Sequence, residues 1–279
     1  MSSLLGAPAT PATRDFTIYL GGQSIASTSF GSLDGWSALA GALQDAGVAT
    51  YPEKVGHARD GAAMLAKSQY LTDYYYDGPS DTEGANLTQS RAAMESLTRD
   101  PDAGGWAQGH ADSTKLESAA DRDAFRDSTI ECLNRIASVR YPGAPEAMPW
   151  FIMLLGRREH DIATADRINW VREAQLAVID AMPNAYFGGE FYDADLLPPP
   201  DGVHPTEAGS ATLGARLGDA IAAHFAPGHS ATLGPSVATT TRNGAQVEVT
   251  FAVEAGQSLH KPAAPAHFGL YAPDGVRLE

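Results

Sequence analysis

The chain has 279 residues, of which 43% are apolar and 19% charged, with a formal net charge of -15. That is enough for one sizeable domain and a small appendage, or for two modest domains, and the acidity argues against a nucleic-acid or anionic-membrane partner, since counterion release needs a basic face. A single cysteine, Cys132, excludes an internal disulfide framework and a cysteine-rich zinc site.

Residues 1–14 are rich in Ser, Ala, Pro and Thr and read as an extended or disordered segment. They lack the basic and apolar regions of a signal peptide, and no run of 18 apolar residues occurs. A soluble protein is expected, either cytoplasmic or secreted with its leader removed. Asp15 to Leu20 reads as a buried strand bounded by glycines, and Leu33 to Ala46 as a short amphipathic helix. Val48 to Val55 is a second strand weakened by Pro52, and Tyr70 to Asn86 reads as a long loop at the edge of the site. Asp121 to Arg140 carries Phe125, Thr129, Cys132, Leu133, Ile136 and Val139 at helical spacing. The apolar run Pro149 to Leu155, closed by Gly156, suits a central parallel strand. A helix over Ala163 to Met182, a strand over Ala185 to Tyr192 and a closing helix over Glu207 to Phe225 follow.

Helices alternating with apolar strands predict a three-layer α/β/α sandwich around a parallel sheet over residues 15–226, with ligands at the carboxyl ends of the strands. Beyond Pro227 the pattern turns to β alternation around Arg242-Asn243-Gly244, a hairpin signal. Residues 227–279 are therefore expected to form a β-rich appendage. Its abrupt end at Leu278-Glu279 reads as a cloning remnant, so truncation is expected.

Two segments could carry chemistry. The first strand empties into Gly21-Gly22-Gln23-Ser24, where a glycine turn could lift a serine hydroxyl clear of the sheet. Such a hydroxyl is a poor nucleophile without an adjacent base, and the plain alternative is a turn with a capping serine. Near residue 200, Asp201 and His204 stand three residues apart before Pro205. A carboxylate on one imidazole nitrogen would fix the tautomer of a general base. The alternative is a surface loop in which Pro198-Pro199-Pro200 and Asp201-Gly202 make turns. His160 and Asp161 could line the site or form a solvated turn, and Tyr70, Tyr74, Tyr75 and Tyr76 could stack on a sugar or pack a loop. Cys132 reads as a buried core residue. The scattered set His57, His110, Asp112, His160, Asp161, Asp201 and His204 has no metal-ligand spacing, so a metal-dependent hydrolase is a minor alternative.

In chain order, these segments resemble the SGNH (GDSL-like) hydrolases, and within them the sialate O-acetylesterase-like and carbohydrate acetylesterase branch. Gly22-Gln23-Ser24 matches the nucleophile block. Trp106-Ala107-Gln108-Gly109-His110-Ala111-Asp112 is similar to a middle block of the type Trp-x-Gln-Gly-Glu-Ser/Asp, and Asp201-Gly202-Val203-His204 matches the Asp-x-x-His block. The resemblance spans Phe16 to Phe225. It implies a flavodoxin-like sandwich with Ser24 as nucleophile, His204 as general base and Asp201 as its orienting partner. It also implies an oxyanion hole from the Ser24 backbone N–H, the Gly61 N–H (or that of Gly56) and the Gln108 side chain. Two positions depart from the family pattern: Ile25 stands where Asn is frequent, and His110 where Glu is usual. The implied activity is hydrolysis of short acyl esters, chiefly O-acetyl groups on a carbohydrate, through an acyl-enzyme and without cofactor or metal. An acyltransferase on the same triad and a non-catalytic glycan-binding module are the alternatives, and the expected partner is a small-molecule or glycan ester.

Overall fold

Strand β1 (Phe16–Gln23) is buried along its whole length and lies inside a parallel sheet. A computed structural model describes residues 16–69, 73–156, 165–191, 194–231, 236–243, 246–252, 270–271 and 277–278. After β1 come the short helix α1 (Ser24–Ser27), a π-helical turn over Thr28–Ser32 and helix α2 (Gly35–Asp45). Then follow β2 (Pro52–Val55), β3 (Ala58–Arg59), the small ladder of β4 (Tyr76–Asp77) and β5 (Thr82–Glu83), and α3 (Ala85–Glu95). The chain continues through β6 (Ala103–Ala107), α4 (Ala119–Ala137), β7 (Trp150–Leu154), α5 (Ala165–Ala181), β8 (Ala185–Glu190) and α6 (Glu207–Phe225).

The sheet runs in the order β2-β1-β6-β7-β8, every pair parallel, with β3 alongside the end of β1. Ranked along the chain this is the 2-1-3-4-5 order of flavodoxin-like sheets, whose ligands bind outside the carboxyl ends of the strands. Because side chains alternate across a strand, each strand feeds two cores. Phe16, Ile18, Leu20, Phe151 and Met153 meet Leu39 and Leu43 of α2 and Leu213, Leu217 and Ile221 of α6. On the other face, Tyr19, Trp106, Trp150 and Ile152 meet α3, α4 and α5 through Leu87, Phe125, Leu133, Ile136, Val171 and Val178. Cys132 is buried in this second core, as expected.

Strand β6 falls where no strand is predicted, and its sequence Ala-Gly-Gly-Trp-Ala explains why: paired glycines normally weaken a strand. Here they make room. A Cβ on Gly104 would lie 2.4 Å from the Trp150 ring, and one on Gly105 would lie 2.8 Å from Leu20 and 2.9 Å from Leu217. The space lets Trp150 pack edge-to-face on Tyr19 at 5.8 Å and on Trp106 at 6.2 Å. The predicted second strand starts only at Pro52, which pairs with Phe16 at the head of an edge strand, a position where proline's missing donor is tolerated. The predicted loop over Tyr70 to Asn86 contains the β4–β5 ladder and the start of α3. Beyond residue 231, β9 (Ser236–Asn243) and β10 (Gln246–Ala252) pair antiparallel as the hairpin signal indicated, and β11 (Leu270–Tyr271) pairs with β12 (Arg277–Leu278). No helix among the described residues is long and apolar enough to cross a membrane.

Candidate active site

Strand β1 delivers Ser24 through two residues with distinct tasks. Gly22 adopts φ 129°, and a Cβ there would lie 2.0 Å from the Ala107 carbonyl oxygen, so β1 and β6 can close up only around glycine. The Tyr75 hydroxyl donates to the Gly22 carbonyl at 2.6 Å and steadies the turn. Gln23 points its Oε1 at the next strand's exit loop, accepting the backbone N–H groups of Gly109 at 3.1 Å and Ala111 at 3.2 Å. Ser24 then opens α1, where a backbone N–H has no intrahelical acceptor. The Ser24 side chain is largely buried and makes no hydrogen bond among the described residues.

The Asp201–His204 loop forms a self-contained hydrogen-bonded unit. Asp201 holds the His204 ring through Nδ1, with Oδ2 at 2.8 Å and Oδ1 at 3.1 Å. The same carboxylate accepts the backbone N–H of His204 at 2.7 Å and of Val203 at 3.0 Å. Burial pushes the Asp201 carboxyl upward, but these donors outweigh it and hold the pKa below the ordinary aspartate value. With Nδ1 engaged, Nε2 is the nitrogen left for proton transfer. The loop closes through Leu197 N–H to the His204 carbonyl at 2.8 Å and Gly202 N–H to the Leu197 carbonyl at 3.1 Å. Thr206 ends it by capping α6, its Oγ1 accepting the Gly209 N–H at 3.1 Å.

Helix α6, which begins three residues beyond His204, packs on α2 and on the turn that follows α1. Its Gly214 passes so close to Gly35 of α2 that an added Cβ would lie 1.8 Å from the Gly35 carbonyl oxygen. Its Ser210 hydroxyl lies 3.4 Å from that of Ser29, in the turn that follows α1. On the other flank of α1, Ser27 donates to Asp60 at 2.6 Å and holds the Asp60–Gly61 turn beside the serine's helix. Gly61 has φ 68° there. Gly56, its alternative, is accounted for by packing: a Cβ on it would lie 1.9 Å from the Leu20 carbonyl oxygen.

No family model matches the sequence, and no curated protein matches it significantly. Solved structures do. A carbohydrate acetylesterase from Xanthomonas citri superposes on 85% of this chain and 62% of its own, with a TM-score of 0.56 at 14% identity. The chain thus spans under two thirds of that protein's length. A member of the lipolytic G-D-S-L family from Veillonella parvula aligns over 75% of this chain and 96% of its own, with a TM-score of 0.47 at 15% identity. An aryl esterase from M. smegmatis aligns over 75% and 98%, with a TM-score of 0.49 at 12% identity. The fold is that of the SGNH hydrolases.

Within the SGNH fold, one expected role is corrected. Gln108 does not offer a free donor, because its Nε2 gives one hydrogen to the Ala62 carbonyl at 3.0 Å and the other to Asp112 Oδ2 at 3.1 Å. Its remaining polar atom, Oε1, is an acceptor and cannot stabilise an oxyanion. Ile25, where SGNH hydrolases frequently carry Asn, is buried in the core beside Ala26 and Phe30, so packing replaces the polar contact. His110 is buried, and its carbonyl accepts the Ser113 hydroxyl at 2.8 Å. His57 is half-buried against Asn86 at 3.2 Å, and burial lowers its pKa.

No group of three or more His, Cys, Asp or Glu side chains that could hold a metal occurs among the described residues. His160, Asp161 and Tyr70 lie outside those residues. Tyr75 and Tyr76 are buried and cannot stack on a sugar, while the Tyr74 hydroxyl bonds Thr82 at 3.0 Å. The clamping role of Gln23 escaped the sequence reading, although a glutamine ending a fully buried strand must find partners and is itself a signal.

Proposed function

We propose that the protein is a serine esterase that removes short acyl groups, O-acetyl above all, from a carbohydrate. What supports this reading is the Asp201–His204 unit, with 2.8 Å between carboxylate and ring, together with a serine, Ser24, at the point where β1 passes into α1. In the proposed reaction Ser24 Oγ attacks the ester carbonyl carbon while His204 Nε2 takes its proton, and Asp201 stabilises the resulting imidazolium. The backbone N–H groups of Ser24 and Gly61 receive the oxyanion. Collapse expels the alcohol, which takes the proton from His204. Water, deprotonated by the same ring, then attacks the acyl-enzyme and frees Ser24.

A carbohydrate as the alcohol is supported by the Xanthomonas citri structure, described as a carbohydrate acetylesterase, and by the sequence resemblance to that branch. Residues 227–279 are read as a separate β-rich appendage, since among the described residues β9–β10 and β11–β12 each form a two-stranded sheet of their own. The reading is tested with Ser24→Ala. Hydrolysis of p-nitrophenyl acetate should fall by about 10³-fold or more, with circular dichroism and melting temperature unchanged. Retained activity in a folded variant would remove Ser24 from the mechanism.

A further inference from the structure

Asp112 is fully buried four residues beyond Gln108, and every hydrogen bond it makes is one it accepts. Its Oδ2 takes the Met64 N–H at 2.8 Å and its Oδ1 the Leu65 N–H at 3.2 Å. Gln108 adds a third bond at 3.1 Å and reaches the same distant segment again at the Ala62 carbonyl, 3.0 Å away. Three positions of one short segment, Ala62, Met64 and Leu65, are thereby tied to the exit loop of β6. They follow directly on Gly61, and Gln23 ties that exit loop back to the residue before Ser24. The result is a closed circuit of buried polar bonds from the nucleophile's strand, through residues 108–112, to the turn that carries Gly61.

We infer that Asp112, acting with Gln108, is the positioning residue for the oxyanion side of this site, fixing the backbone that presents the Gly61 N–H. The inference rests on the esterase reading and adds to it a group that touches neither substrate nor nucleophile. The circuit needs the carboxylate in its ionised form, because a protonated oxygen would point a hydrogen at donors. Burial pushes the Asp112 carboxyl up to about 6, against the opposing pull of the Met64 and Leu65 N–H groups, Ser68 and Gln108. A buried charge held on such terms is a load that a merely structural loop could shed by substitution. Charged neighbours are engaged elsewhere: Lys67 with Asp121, Arg167 with Glu117 and the Thr114 carbonyl, Asp77 with the Ala66 N–H. His110 lies two residues away in the same buried loop.

The experiment is steady-state hydrolysis of p-nitrophenyl acetate by wild type, Asp112→Asn and Ser24→Ala from about pH 4.5 to about pH 8, spanning the ordinary histidine range. In Asp112→Asn, kcat should fall by about 10²-fold, the scale of a small misplacement in an active site, with KM changed less than about two-fold. The acid limb of the wild-type profile should be steeper than that of Asp112→Asn, because protonation of Asp112 breaks the circuit in the wild type alone. Near-UV circular dichroism checks folding; if Asp112→Asn does not fold, Gln108→Met, which removes both amide donors, should show the same fall in kcat at constant KM. A kcat within about two-fold of wild type with an unchanged acid limb, beside an inactive Ser24→Ala, overturns the positioning role and leaves the esterase reading standing. Activity in Ser24→Ala overturns the reading itself.

Discussion

The Asp201–His204 loop is closed by bonds between neighbours, whereas the segment bearing Gly61 is held from across the fold. His204 and Asp201 are three residues apart, and the loop's closing bonds run between residues 195 and 209. Met64 meets Asp112 over 48 residues, Ala62 meets Gln108 over 46, and Gln23 meets Gly109 over 86. A unit of the first kind keeps its geometry if its own few residues are right. One of the second kind inherits its geometry from the sheet, and any strand that shifts is felt there. On the proposed mechanism, acid–base chemistry and oxyanion placement are thus exposed to different kinds of mutation.

Asp201→Asn is the sharpest way to separate them. Asn keeps one acceptor for the loop's N–H groups but no longer fixes the ring tautomer, so kcat should drop on the order of 10³- to 10⁴-fold while the melting temperature stays near wild type. A large loss of stability instead would mean that the loop is not the self-contained unit described. Gly104→Ala works from the other direction and with a smaller effect. Its Cβ would sit 2.4 Å from the Trp150 ring, so overpacking should cost roughly 1–3 kcal/mol, visible as a lower melting temperature, and the shift of β6 should reduce kcat as well. If activity falls with Asp201→Asn alone and Gly104→Ala changes stability without touching kcat, the distributed half is not coupled to the chemistry.

The same contrast decides what could be read from the sequence. Trp150–Leu154 was legible because helices cover both faces of a central parallel strand and leave an unbroken apolar run. Helix α6 was legible to the residue, since Pro205 and the Thr206 cap mark its start and its buried Leu213, Leu217 and Ile221 keep helical spacing. The Asp201–His204 pair was legible because its partners are written side by side. Strand β6 was hidden by glycines whose purpose lies in the rings of Trp150 and the side chains of Leu20 and Leu217, all remote in sequence. Helix α3 was hidden too: Asn86, Thr88 and Ser90 blur its pattern, though Leu87 and Met94 are buried. Gln108 was singled out for its amide, but the direction of that amide depends on Ala62 and Asp112, and no local spacing reveals it.

The central claim is that Ser24 forms a covalent acyl intermediate, and the most direct test is to trap its equivalent. Wild-type protein treated with a fluorophosphonate should gain the mass of one adduct, peptide mapping should place it on Ser24, and ester hydrolysis should disappear in step with labelling. Full hydrolysis by protein labelled at Ser24, or inactivation with the adduct on another residue, would contradict the account.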